Sequence, residues 1–126
     1  MAGVTPVLRY RDSARAVEFL IEAFGFERHA VYEGEGGSVE HAELASGDGM
    51  VMIGPDREDA FGGRAGNGWT YVVVEDADAH CAHARSTGAE IVREPEDQDY
   101  GSRDYTARDF EGNLWSFGTY RPGPHG

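Results

Sequence analysis

The chain has 126 residues with 40% hydrophobic content, enough for one domain with an ordinary core and little to spare for a long unstructured tail. A formal charge of −12 argues against a nucleic-acid partner, because phosphate binding needs a basic face; it is compatible with a cationic small molecule or with a plain acidic surface. No apolar stretch approaches the roughly 18 residues of a membrane span and Met1-Ala2-Gly3 does not open a signal peptide, so no membrane partner and a cytoplasmic location are expected.

Residues 4–11 read as a first strand, with Pro6 where only a sheet edge or an exchanged arm tolerates a missing N–H. Asp12 or Ser13 can cap the helix that follows, whose buried stripe is Val17, Leu20, Ile21 and Phe24 and whose stop is Gly25. Residues 26–32, 39–45 and 50–54 then read as strands, joined by glycine-rich turns at 34–37 and 46–49. Residues 55–68, with Pro55, Gly62, Gly63, Gly66 and Gly68, form a linker. From Trp69 the order repeats: a strand, a helix capped by Asp76 or Asp78 with buried Ala77, Cys81 and Ala84, and strands at 91–93, 104–108 and 114–119. The acidic segment 94–102 is expected to be a loop over a cleft. Cys81 is the single cysteine; a disulfide within the chain is excluded, and its helical setting favours a buried thiol.

Asp12 and Asp76 lie 64 positions apart, Gly25 and Gly88 lie 63 apart, and Gly49 and Gly112 lie 63 apart. Three landmarks at one period indicate an internal repeat, two βαβββ modules at about 4–54 and 69–120 within a single domain, residues 1–126. The expected class is α+β, with curved mixed sheets forming a cleft for a small ligand.

Two segments, PVLRYRDSARAVEFLIEAFGFE at 6–27 and YGSRDYTARDFEGNLWSFG at 100–118, resemble the vicinal oxygen chelate superfamily, the glyoxalase, bleomycin-resistance and extradiol dioxygenase group. The likeness spans nearly the whole chain and is nearest to the bleomycin-resistance type. It implies a homodimer that binds its ligand in a groove between βαβββ units, with N-terminal strands sometimes exchanged between subunits. Enzymes of the superfamily hold a divalent metal on one side chain from the first and one from the last strand of each module. Mapped by motif, those places fall on Thr5, Ile53, Trp69 and Ser116, and none is a normal ligand. Neither a metal nor any other cofactor is therefore expected.

His80 and His83 share a helix face with no third ligand spaced to complete a set, which favours a solvated face. His41 and Glu43 point to one side of a strand; they are a ligand-binding or proton-moving pair, or an exposed polar pair. His29 and His125 carry no readable signal. Trp69 and Tyr71 share a strand face and offer either a stacking surface or core packing, while Trp115 and Phe117 alternate with Ser116 and belong to the core. Tyr100, with Gly101 and Arg103 after it, stands where the bleomycin-resistance type stacks an aromatic on its drug. Two functions follow as expectations. The first is a metal-independent binding protein that sequesters a planar, antibiotic-like ligand in an acidic groove, with cationic chemistry open to that ligand. Its candidate contacts are Trp69, Tyr71, Tyr100, Arg103, His41, Glu43, Arg9 and Ser116. The second is a metal-independent enzyme, a lyase, isomerase or relative, with His41 or Glu43 as base and Arg9 or Arg103 holding an anionic substrate.

Overall fold

The computed structural model describes residues 4–56 and 65–122, so Gly62 and Gly63 of the expected linker and His125 lie outside the described residues. The elements are β1 (Val7–Tyr10), α1 (Ser13–Phe24), β2 (Glu27–Glu33), β3 (Val39–Ser46), β4 (Gly49–Pro55), β5 (Trp69–Val73), α2 (Ala77–Ser86), β6 (Glu90–Asp97), β7 (Arg103–Arg108) and β8 (Leu114–Gly118), with a single 3-10 turn at Glu35–Gly37.

Local chemistry explains both helices. The Asp12 carboxylate accepts from the Arg15 amide at 3.0 Å and the Asp76 carboxylate from the Ala79 amide at 3.0 Å, each satisfying a donor that the first turn leaves free. Gly25 ends α1 at φ 81, a left-handed conformation that costs a glycine nothing, and its amide donates back to Ile21 at 3.2 Å. Ala16, Val17, Leu20, Ala23 and Phe24 form the buried stripe of α1; in α2 the stripe is the smaller set Ala77, Cys81 and Ala84. Small residues there let the two helices lie against each other.

The strands form two four-stranded sheets, ordered β1-β4-β3-β2 and β5-β8-β7-β6. In each, the first strand runs parallel to the last and the remaining pairs are antiparallel. The two helices lie between the inner faces of the sheets: Leu44, Val51 and Ile53 of one sheet and Tyr105, Ala107, Trp115 and Phe117 of the other belong to one core with α1 and α2. Phe24 packs its ring 4.8 Å from Phe117 and 5.6 Å from Trp115, carrying module 1 into module 2.

The inner faces of the two modules share the helices, and the outer faces carry Val7, His41, Glu43 and Met52 on one sheet and Trp69, Tyr71, Thr106 and Ser116 on the other. Two expectations are corrected. First, residues 94–97 are strand rather than loop, since β6 runs to Asp97 and only 98–102 form the connection, closed by the Gln98 amide donating to Ser102 at 2.7 Å. Second, the first strand is shorter than residues 4–11, beginning at Val7, and the Pro6 carbonyl before it accepts from the Met52 amide at 3.0 Å.

Register also resolves the repeat. Val7 pairs with Met52 and Tyr71 with Ser116, so both partners shift by 64 between modules. Glu43 and Thr106, on β3 and β7, are 63 apart in the matching places, opposite Ala30 and Arg93. Between the matching ladder pairs Glu43–Met52 and Thr106–Ser116 the second hairpin holds one residue more than the first, which adds the extra position. Each module skips a residue at a matching place in its outermost pair, His29 between Arg28 and Ala30 and Val92 between Ile91 and Arg93, and each has a second register shift further along. A β-bulge thus recurs at one place in both copies.

Candidate functional site

The outer face of the second sheet holds a pocket of about 290 Å³ lined by Trp69, Tyr71, Arg93, Tyr100, Asp104 and Ser116. Four of the expected site residues, Trp69, Tyr71, Tyr100 and Ser116, therefore meet. Trp69 is 72% exposed, which removes core packing as its role. Its indole N–H donates to the Ser116 hydroxyl at 3.0 Å, and that hydroxyl shares a 2.8 Å bond with Thr106 below it. The ring is thereby fixed at its polar edge while its face stays open. Tyr100, 57% exposed, donates to Asp104 Oδ2 at 3.0 Å and meets the Tyr120 ring edge-on at 5.5 Å. That hydrogen bond to a carboxylate raises the Tyr100 phenol above its ordinary range. Tyr71 donates to the Tyr120 carbonyl at 2.6 Å, and burial raises its phenol as well.

Arg93 and Asp104 were not among the expected site residues. Strict alternation from the core-facing Ile91 would turn Arg93 inward; the bulge at Val92 instead sets it opposite Thr106 on the outer face. Its Nη2 donates to Asp104 Oδ1 at 2.6 Å, placing one cation against one anion at the pocket floor. The pocket therefore contains a cation as well as the acidic groups expected of it, and Glu96 lies 3.4 Å from the other terminal nitrogen of that guanidinium.

Arg103 is absent from this pocket. It sits on the helix side of β7, where Nε and Nη2 donate to the two Asp78 oxygens at 2.8 and 3.0 Å and Nη1 to Asp97 at 3.3 Å. Those carboxylates raise its basicity further and occupy its fork. Arg9 stands on β1 opposite Gly54, and His41 and Glu43 lie on the outer face of the first sheet; none of the three lines the Trp69 pocket. His41 Nε2 and Glu43 Oε2 are 3.0 Å apart, and the bulge residue His29 stands 3.9 Å from the other Glu43 oxygen. His80, expected on a solvated face, is half-buried. Its Nε2 lies 2.8 Å from the Phe24 carbonyl, which fixes that nitrogen as the donor, and its Nδ1 accepts from the Tyr105 hydroxyl at 2.6 Å. Helical spacing showed which face His80 shares, but not that α1 packs over it.

A larger cavity of about 450 Å³ follows the seam between β5 and the turn joining β3 to β4, with Tyr71 the only expected site residue on its wall. Size favours the seam, but the convergence of aromatic faces and polar groups favours the smaller pocket as the site.

The family sequence model described as Glyoxalase/Bleomycin resistance protein/Dioxygenase superfamily matches residues 4–117. The chain belongs to that superfamily. Among solved structures it is similar to TioX from Micromonospora sp. ML1, at 33% identity over 96% of this chain and all of that one, with a TM-score of 0.82. It also shares its fold with a glyoxalase/bleomycin resistance protein from a Streptomyces species, at 19% identity, covering 92% of this chain and 98% of that one, with a TM-score of 0.73. Uncharacterized proteins of Mycobacterium bovis and Mycobacterium tuberculosis are 31% identical over 92% of this chain, covering 82% and 73% of theirs. Superfamily members commonly bind small ligands and form dimers. No helix among the described residues is long and apolar enough to cross a membrane.

The residues present do not fit the superfamily's divalent metal. Ile53, mapped by motif to a ligand position, is fully buried on the helix side, because the longer second hairpin displaced the mapping by one. The register-matched counterpart of Ser116 is Met52, a thioether, and the first strands offer Val7 and Tyr71 beside them. One apolar side chain, one soft sulfur and two hydroxyls, the Ser116 hydroxyl already engaged, make no set for a divalent ion.

Proposed function

We propose that this protein is a small-molecule binder that holds a planar, antibiotic-like ligand against Trp69 and Tyr100 and sequesters it. The observation that carries this reading is the exposed indole: a tryptophan 72% exposed, fixed by its N–H to Ser116, beside a tyrosine 57% exposed. Aromatic faces left open in this way are stacking surfaces, and their burial is the main source of affinity for a flat molecule. The same pocket is walled from one side only. Val7 and Tyr32, large and exposed around the outer face of the first sheet, give a second copy an apolar surface with which to close it. In such a homodimer the module 1 face of one subunit, with His41 and Glu43, would lie over the Trp69 face of the other.

The test is a fluorescence titration with planar aromatic compounds. Saturable quenching of tryptophan emission is expected, and Tyr100→Ala should weaken binding by about tenfold or more while far-ultraviolet circular dichroism stays unchanged. Unaltered affinity in Tyr100→Ala together with unquenched emission removes both aromatics from the site. A second reading, a metal-independent enzyme, draws support from the 3.0 Å contact between His41 and Glu43, an imidazole and a carboxylate in proton-transfer reach. Consumption of a bound ligand by the wild type, lost in His41→Ala, would put that reading first.

A further inference from the structure

We propose that the ligand carries a hydrogen-bond acceptor, a carboxylate or a ring carbonyl, on the edge of its planar ring, and that Arg93 selects for it. The inference rests on the reading that Trp69 and Tyr100 hold a flat molecule, and it names that molecule's polar edge. Arg93 is present in the pocket only because of the bulge at Val92, and its side chain is 35% exposed there. Its contacts hold the guanidinium still: Nη2 to Asp104 Oδ1 at 2.6 Å and to Thr106 at 3.3 Å, Nη1 to the Asp104 carbonyl at 3.4 Å and to Glu96 at 3.4 Å. None of these contacts uses the Nε–H. A positioned, planar, weakly hydrated cation beside aromatic faces recognises an acceptor at a ring edge with little further ordering.

The carboxylate of the pocket offers a cation much less. Asp104 is 4% exposed at its side chain; Oδ1 takes Arg93 at 2.6 Å and Gln98 at 3.1 Å, while Oδ2 takes Tyr100 at 3.0 Å. Three of its roughly four acceptor sites are taken and the side chain is almost wholly buried, so a ligand ammonium reaches it poorly. The net charge of −12 does not reverse this, since charges spread over the surface are screened beyond about 8 Å at physiological ionic strength while Arg93 acts at contact.

The experiment compares three probes of one ring system, 2-naphthoate, 2-methylnaphthalene and 2-naphthylmethylammonium, titrated into the full chain and followed by tryptophan emission. The expected order is naphthoate tightest, by about tenfold or more over the ammonium, as for a charge-assisted bond gained by one and denied to the other. In the double variant Arg93→Met, Asp104→Asn, which removes both charges and so strands neither, the naphthoate preference should vanish while the methylnaphthalene affinity holds. An ammonium that binds as tightly as naphthoate overturns the proposal, as does a preference that survives in the double variant. Failure of all three probes to bind defeats instead the stacking reading on which the proposal stands.

Discussion

Tyr10 donates its phenolic hydrogen to Asp109 Oδ2 at 2.6 Å, joining residues 99 positions apart and tying the first strand of module 1 to the last turn of module 2. Both side chains are buried, and Asp109 also accepts from the Trp115 indole at 3.0 Å and from the Glu111 and Asn113 amides at 3.0 Å. Beside it, Glu111 accepts from the Arg11 and Asp12 amides at 2.6 and 2.7 Å, so the turn of one module closes the start of α1 in the other. Burial first, and the neighbouring carboxylate second, push the Tyr10 phenol far above its ordinary range, which keeps it a donor at any working pH.

Tyr10→Phe removes one hydrogen bond to a charged acceptor without opening a cavity. It should cost about 1.5–3 kcal/mol of stability by denaturant titration. Asp109→Ala should cost more, because the indole and two amides lose their acceptor together. A midpoint unmoved in both variants would show that the seam contributes nothing to stability.

His80 makes the stability of the fold depend on pH. Burial lowers its pKa, against the hydrogen bond to the Phe24 carbonyl, which raises it, and with His83 nearby acting in the same direction as burial. The unfolded chain takes up a proton near pH 6.5 and the folded chain resists it, so the stabilisation is complete above that value and is lost as pH falls below it. Protonation would force a hydrogen onto Nδ1, where the Tyr105 hydroxyl now donates. His80→Gln, which does not titrate, should flatten the fall in melting temperature between pH 7.5 and 5.5 relative to wild type. Equal slopes would assign the acid sensitivity to other groups.

Arg103 gives the opposite expectation to the one its sequence position raises. With its fork on Asp78 and Asp97, outside the pocket, Arg103→Ala should leave ligand affinity unchanged and shift the melting temperature only slightly. A several-fold loss of binding would return it to the site.

Much of this was legible in the sequence because it is local. Asp12 and Asp76 cap as their positions require, Gly25 takes the positive φ of a helix stop, and alternation places Trp115 and Phe117 in the core and Ser116 in the pocket. What was not legible depends on single-residue offsets and on packing between distant segments. One extra residue in the second hairpin made Ile53 look like the counterpart of Ser116; the skipped Val92 carries Arg93 to the outer face, where strict alternation from Ile91 would turn it inward. The polar contacts of His80 depend on α1, whose Phe24 carbonyl lies 56 positions away. No periodicity within α2 reports that neighbour.

The two outer faces make the association state the most direct physical test of the whole arrangement. A pocket walled on one side buries too little of a flat ligand for tight binding, since good sites enclose most of their ligand's surface. The apolar side chains around the first outer face, Val7 and Tyr32, are more than half exposed. Sedimentation at micromolar concentration should therefore report twice the chain mass of 13.7 kDa. Val7→Arg, at a position whose side chain meets solvent in the isolated chain, should return the protein to a monomer with its circular dichroism spectrum intact, and ligand affinity should fall with it. A wild-type monomer that nonetheless binds ligand tightly would mean that one chain completes the site alone, and the covering subunit would have to be given up.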